Sequence, residues 1–410
     1  KAVGNRTCIC DTTMTEVFVV DATRTPFARH AGALASIRCD DLAALPLQTL
    51  VQRHPQIDWS ALDDVVLGCA NQAGEDNRNV ARIAALLAGL PVSVPGMTVN
   101  RLCASGLESV AIAARAIRAG EAHAILAGGV ESMSRAPYVL SKALTSFARE
   151  QTLEDSTLGW RFVNPAIRER WGVDSMAQTA QNLATRFGIE RSTQDAYALR
   201  SQQRAEHARQ AGIFAEQIQP VTVADRVFNE DEHPRPHTTA EQLARLRPLL
   251  GPETSITAGN ASGINDGAAA LLLASPTMLE RWGVTPLARI VASAAVGVEP
   301  RYMGIGPVPA IEALLARTGW MLDSIDHIEI NEAFAAQVVA CTRGLRLADD
   351  DRRVNPYGGA IALGHPLGAS GARLLMQSAF ALRRGSASRA VVSLCVGAGQ
   401  GVAMALEALS

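Results

Sequence analysis

Three side chains in the sequence have neighbours suited to nucleophilic and proton-transfer chemistry. Cys103 lies in Val99-Asn100-Arg101-Leu102-Cys103-Ala104-Ser105-Gly106, where a strand or loop hands over to a helix. Unpaired N–H groups and the positive dipole end at such a place are expected to stabilise a thiolate against an ordinary pKa of about 8.5. The small residues that follow let another backbone come close. A lone cysteine is more often a buried structural residue, so the weight rests on two further groups. His365 stands in the glycine-dense run Gly358-Gly359-Ala360-Ile361-Ala362-Leu363-Gly364-His365-Pro366-Leu367-Gly368, and Cys395 opens Cys395-Val396-Gly397-Ala398-Gly399-Gln400-Gly401 at a strand end. The second run looks like a nucleotide loop, but no lysine follows it and no strand-to-helix dinucleotide fingerprint supports one. Zinc held by these three residues would lack paired short spacings, and no metal is expected.

Positioning such groups requires α/β layers, and the pattern predicts them. Val17-Phe18-Val19-Val20, Asp64-Val65-Val66-Leu67, Ala124-Ile125-Leu126-Ala127, Ile328-Glu329-Ile330 and Ala390-Val391-Val392-Ser393-Leu394 read as strands, and residues 104–119 and 369–384 as helices. An internal repeat links them. Cys103-Ala104-Ser105-Gly106 matches Gly368-Ala369-Ser370-Gly371, Ala124–Ala127 matches Ala390–Ser393, and Leu62–Leu67 matches Ile325–Ile330, all in one order and at nearly constant separation. Two related halves are therefore expected, with both helix starts converging so that Cys103 faces His365. The expected boundaries are an extension over 1–13, a first half over 14–134 and 258–286, an inserted region over 135–257, and a second half over 287–410. The insertion carries Trp160, Trp171, an arginine-rich helical stretch near 186–209 and a polar run from Asn229 to His237. Segments of this kind often cover active sites.

The chain has 410 residues, 48% hydrophobic and 19% charged, with a formal net charge of -2. That excludes a disordered chain and gives no global reason to expect nucleic acid. Lys1 and Lys142 are the sole lysines among 38 basic residues, so cationic sites must use arginine, which suits planar and phosphate partners. No apolar run approaches the ~18 residues of a membrane helix, and no signal-peptide pattern opens the sequence. Seven scattered cysteines suit a reducing compartment, and the cytoplasm is expected.

Val99–Gly106, Asn331-Glu332-Ala333-Phe334, Gly358–Gly371 and Cys395–Gly401, taken in order with the repeat, resemble the thiolase family from Met14 to Ser410. The resemblance implies an αβαβα five-layer fold of two βαβαβαββ halves with an inserted loop domain. It also implies a homodimer or homotetramer, and thiolytic cleavage of a 3-oxoacyl-CoA or its Claisen reverse. Cys103 would attack the 3-keto carbon, and His365 would take its proton and later activate coenzyme A, a co-substrate, with no tightly bound cofactor. Cys395 would exchange a proton with the α-carbon. Asn331 would hold a water at one oxyanion site, and the N–H groups of Cys103 and Gly397 would form the other. Met176, Leu250, Ala258, Ala261, Ser262, Ile264, Met303, Ala333 and Phe334 would line the pantetheine channel, with Arg235 near the adenine and phosphates.

The chemistry accounts for the set independently. Cleavage beside a thioester leaves an enolate, which needs preorganised donors worth about 3 kcal/mol each. The proton carrier should titrate near working pH, so a cysteine suits better than a serine. Short-chain biosynthetic relatives carry a histidine where this chain has Ser175. The runs Thr157–Asn164, Asp231–Arg235 and Gly297–Gly304 look most similar to the 3-oxoadipyl-CoA branch, whose substrate ends in a carboxylate that an arginine could pair with. A biosynthetic acetoacetyl-CoA enzyme, a ketoacyl synthase with a Cys-His-His or Cys-His-Asn set, and a non-catalytic acyl-CoA-binding relative are the competing readings.

Overall fold

The computed structural model describes residues 15–409; the extension expected over 1–13 lies outside them. The first half runs β1 (Val17–Arg24), α1 (Cys39–Arg53), β2 (Asp64–Gly68), α2 (Val80–Leu87), β3 (Met97–Val99), α3 (Ser105–Ala119) and β4 (Ala124–Ser132). A long excursion carrying α4 (Met176–Arg186) and α5 (Arg191–Gln210) precedes its last strand, β5 (Asn265–Ala274). The second half runs β6 (Ala288–Gly297), α6 (Pro307–Thr318), β7 (His327–Ile330), α7 (Ala335–Gly344), α8 (Leu367–Arg383), β8 (Arg389–Val396) and β9 (Gln400–Glu407).

Strand pairing repeats between the halves. The order β3-β2-β4-β5-β1 in one matches β7-β8-β9-β6 in the other, and β1 joins β6 antiparallel through Val17–Val19. In both halves the first two equivalent strands are parallel (β2 with β4, β7 with β8) and the next pair is an antiparallel ladder (β4 with β5, β8 with β9). The second half has no full counterpart of β3; a single parallel bridge between Ile328 and Val354 stands in its place.

Side-chain alternation along the strands produces the layers. On β5, Ala269, Leu271 and Leu273 face a core shared with α3 and α8, while Ala268, Ala270 and Leu272 face α1 and α2. On β9, Val402, Met404 and Leu406 face that same shared core, while Ala403 and Ala405 face α4, α6 and α7. Helices α3 and α8 are thus the middle of five layers, α8 buried along nearly its whole length and α3 buried except towards its C-terminal end. Their small residues make this possible, because a Cβ on Gly106 would run into the Gly368 carbonyl and one on Gly371 into the Leu107 amide. The excursion is anchored by a buried ion pair in which both terminal nitrogens of Arg24 on β1 donate to Asp231, at 2.6 and 2.8 Å. Breaking one side of such a pair would strand a buried charge.

Candidate active site

Cys103 sits in a short 3₁₀ turn, Leu102–Ala104, directly ahead of α3. Leu102 holds a left-handed conformation (φ 46°), uncommon for a bulky residue, and the Asn100 side chain supports it by accepting from its N–H at 2.8 Å. Ser105 then accepts from the Arg101 N–H at 2.9 Å and donates to the Leu102 carbonyl at 2.7 Å, locking the turn. The N–H groups of Cys103 itself and of Gly397 lie close enough to the Cys103 sulfur to favour its thiolate. Gly397 lies just beyond β8, two residues after Cys395, in a tight connection where Ala398 (φ 61°) and Gly399 (φ 86°) are both left-handed. The two thiols are close enough that a charge on Cys103 opposes one on Cys395.

The electrostatics correct one expectation. The helix start was expected to lower the thiol pKa, yet burial pushes Cys103 up to about 11, and the two N–H contacts offset only part of this. Cys395 is likewise pushed well above the ordinary thiol range, chiefly by burial. A short, closely packed turn gives a weaker field than its desolvation costs. Both cysteines rest as neutral thiols.

His365 is buried at the start of α8 and held from three sides. Its N–H donates to Asn265 Oδ1 at 2.9 Å, its Nδ1 lies 2.6 Å from Ser370 Oγ, and its Nε2 lies 3.3 Å from Asn331 Nδ2. Ser370 Oγ donates to the Pro366 carbonyl at 2.8 Å, so it receives the Nδ1 proton and leaves Nε2 as the unprotonated nitrogen. Burial and the buried Arg373 guanidinium depress His365 to about 3, which keeps the ring neutral. Asn331 Oδ1 is buried without a protein partner, an acceptor open to a donor such as water.

Cys103, Gly397 and Met176 line one cavity of about 480 Å³, together with Asn71, Asn100, Glu131, Leu367 and the loop Thr157–Phe162. A second, more open cavity of about 760 Å³ adjoins it across Trp160 and Ala398. Further along, Ala261 bridges Phe334 and the Ser262 N–H donates to the Ala333 carbonyl at 2.9 Å, which gathers those four residues. Ile264 is half-buried, its carbonyl accepting from His30 N–H at 2.9 Å. Leu250 is half-buried and Ala258 exposed outside the cavity, while Met303 is packed in the core. Arg235 is exposed, with its backbone N–H donating to Gln202 Oε1 at 2.8 Å. Ser175 caps α4 by accepting from the Gln178 N–H at 3.2 Å.

Sequence reasoning missed Glu131, Asn265 and Ser370. Glu131 accepts from the N–H groups of Ala70, Asn71 and Gly368 at 3.0, 3.0 and 2.8 Å, tying a loop of the first half to the start of α8. Those donors favour its carboxylate, but burial outweighs them and raises it to about 7. Its only sequence signal is an acid ending an otherwise apolar strand. Ser370 was visible as the repeat partner of Ser105; nothing marked Asn265.

The profile of the thiolase N-terminal domain matches residues 17–277, and that of the thiolase C-terminal domain matches 284–408. The chain belongs to the thiolase family. This thiolase is 59% identical to the beta-ketoadipyl-CoA thiolase of Pseudomonas aeruginosa, over 96% of its own length and 99% of that protein. It is 55% identical to the 3-oxoadipyl-CoA/3-oxo-5,6-dehydrosuberyl-CoA thiolase of Escherichia coli K12, over 96% and 100% of the two chains. Among solved structures, Bacillus anthracis acetyl-CoA acetyltransferase superposes with a TM-score of 0.90 at 40% identity, covering 97% of this chain and 100% of that one. Human mitochondrial 3-ketoacyl-CoA thiolase in complex with CoA gives the same TM-score and identity, covering 96% and 98%. As a thiolase, this protein is an acyltransferase with the thiolase fold. Among the described residues no helix is long and apolar enough to cross a membrane.

Proposed function

We propose that this thiolase cleaves 3-oxoadipyl-CoA with coenzyme A, giving acetyl-CoA and succinyl-CoA, and that the same steps run backwards as a Claisen condensation. The observation that carries the mechanism is the closeness of Cys103 to Gly397 in the cavity wall and to the second thiol, Cys395. The relatives named for 3-oxoadipyl-CoA or beta-ketoadipyl-CoA support the substrate.

The nucleophile, Cys103, gives its proton to His365 Nε2 and forms a carbon–sulfur bond at the 3-keto carbon. The bond between C2 and C3 breaks, and its electron pair becomes the enolate of acetyl-CoA, stabilised at its thioester oxygen. Cys395 protonates that carbon. The thiol of incoming coenzyme A then loses its proton within the site, attacks the succinyl thioester and releases Cys103; the protons held by His365 and the coenzyme restore both cysteines. Neutral thiols at rest suit this order, because Cys395 must arrive protonated and Cys103 need ionise only as it attacks. His365, neutral at working pH, is free to accept. The open Oδ1 of Asn331 next to His365 supports a water held there for the oxyanion formed at the keto carbon.

Coenzyme A serves as a co-substrate. Its pantetheine arm is assigned to the strip made by Ala258, Ala261, Ser262, Ile264, Ala333 and Phe334, with Met176, Leu250 and Met303 along its course and Arg235 at the adenine and phosphate end. The exposed Leu144 and Phe147 support a homodimer or homotetramer, and the cytoplasm is the proposed compartment.

Two measurements test the reading. Acetyl-CoA should leave one acetyl group on Cys103 by mass spectrometry, and an unmodified Cys103 in folded protein would favour a binding role. The kcat/KM for 3-oxoadipyl-CoA should exceed that for acetoacetyl-CoA; the reverse preference would overturn the substrate but leave the chemistry.

A further inference from the structure

We propose that Arg161 recognises the distal carboxylate of the acyl substrate; this rests on the substrate reading above and extends it to a residue. Among the described residues, Arg161 is the only basic side chain lining the 480 Å³ cavity that contains Cys103. It is half-buried, and among the described residues it has no carboxylate partner. Its one hydrogen bond is weak, Nη1 donating to the Ser156 carbonyl at 3.4 Å. The other arginines nearby are already engaged. Arg101 pairs with Glu108 at 2.9 Å, Arg135 with Glu75, and Arg301 with Asp174 at 3.3 Å. A guanidinium with free donors facing a cavity is suited to a planar carboxylate, which it can grip with two parallel hydrogen bonds.

The loop that carries it is fixed to the floor of the same cavity. Asn71, whose N–H donates to Glu131, donates through its side chain to Ser156 Oγ at 2.9 Å, and Ser156 Oγ donates to the Pro137 carbonyl at 2.5 Å. Phe162 N–H donates to Glu154 at 2.9 Å and Trp160 Nε1 to the Asp174 carbonyl at 3.2 Å, so both neighbours of Arg161 are tethered. After C–C cleavage the succinyl group on Cys103 ends in a carboxylate three carbon–carbon bonds beyond the thioester carbon, roughly 4 Å at about 1.5 Å per bond in a zigzag. The Glu131 carboxyl in the same wall turns its oxygens to backbone N–H groups, and Arg161 supplies the positive charge for an acidic chain end.

The test compares 3-oxoadipyl-CoA with 3-oxohexanoyl-CoA, which keeps six acyl carbons and replaces the carboxylate by a methyl group. Rates for wild type, Arg161→Ala and Arg161→Lys are divided by the fraction of Cys103 that acetyl-CoA can acetylate, so that misfolded protein is not counted. The ratio of the two kcat/KM values should fall about 10–100-fold in Arg161→Ala, as expected for a lost charged hydrogen bond, and recover in part in Arg161→Lys. A wild-type ratio near one would overturn the substrate reading and Arg161 with it. A wild type that favours the acidic substrate, with the preference intact in Arg161→Ala, would overturn Arg161 alone. Equal losses on both substrates would make it a loop support and overturn the proposal as well.

Discussion

The two central helices begin with the same residues, Ala104-Ser105-Gly106 and Ala369-Ser370-Gly371, and use their serine in two ways. Ser105 closes the turn behind Cys103 and touches only backbone, the Arg101 N–H and the Leu102 carbonyl. Ser370 donates instead to the Pro366 carbonyl, four residues back where Ser105 reaches three, and also takes the Nδ1 proton of His365. Burial then acts in opposite directions on the two chemical groups, raising Cys103 to about 11 and lowering His365 to about 3, and both end neutral. The same helix start thus carries Cys103 in one half and follows His365 in the other, and the two settings differ in one or two side chains.

The strongest way to break this comparison is to remove each group. Cys103→Ala should abolish the acetyl adduct and lower kcat by about 10⁴-fold or more, whereas His365→Gln should still form the adduct slowly while losing about 10²–10⁴-fold in turnover. Equal loss of adduct in both would mean that the first step needs His365 as strictly as it needs Cys103.

A smaller effect sharpens the asymmetry of the serines. Ser370→Ala unpairs Nδ1 and should lower kcat about 10–100-fold, corresponding to a buried donor left unsatisfied. Ser105→Ala should instead cost about 1 kcal/mol of stability in chemical unfolding, with a lesser change in kcat. The reverse pattern would place the base in the first half.

A separate effect, on stability and not on turnover, is its pH dependence. Because the folded His365 titrates at about 3 and an unfolded histidine near 6.5, the unfolded chain binds the extra proton between these values. Its contribution is therefore complete above about pH 6.5 and is lost as pH falls towards 3, with a slope of about 1.4 kcal/mol per pH unit. Glu131 works the other way: raised from 4.5 to about 7, it contributes stability at low pH that is lost as pH rises through that interval. Unfolding free energies of wild type and His365→Gln between pH 4 and 7 isolate the first effect, since Glu131 is common to both. Parallel curves would show that His365 is not held neutral.

Much of the fold was readable because repetition is local. The strands at 64–67, 124–127, 328–330 and 390–394 and the helices behind Cys103 and near 369–384 emerged from periodicity, and the second helix begins two residues earlier than expected because Pro366 caps it. The thiols, the imidazole and Asn331 were legible as residue types in glycine-rich or motif settings. Glu131 and Asn265 were not, because each meets a partner far away in the chain, Gly368 and the His365 N–H, and Arg161 was not, because only folding brings it into the cavity wall with Cys103.

The sequence by itself determined that there are two equivalent helix starts, which residues stand at them, and that small side chains follow. Those properties depend on neighbours a few positions apart. Only the tertiary structure decided the protonation of Cys103 and His365, since desolvation depends on every layer packed around them, and only it decided which N–H reaches the nucleophile's sulfur. A helix dipole can be anticipated from a turn, but the burial that outweighs it arises only when five layers close over the site.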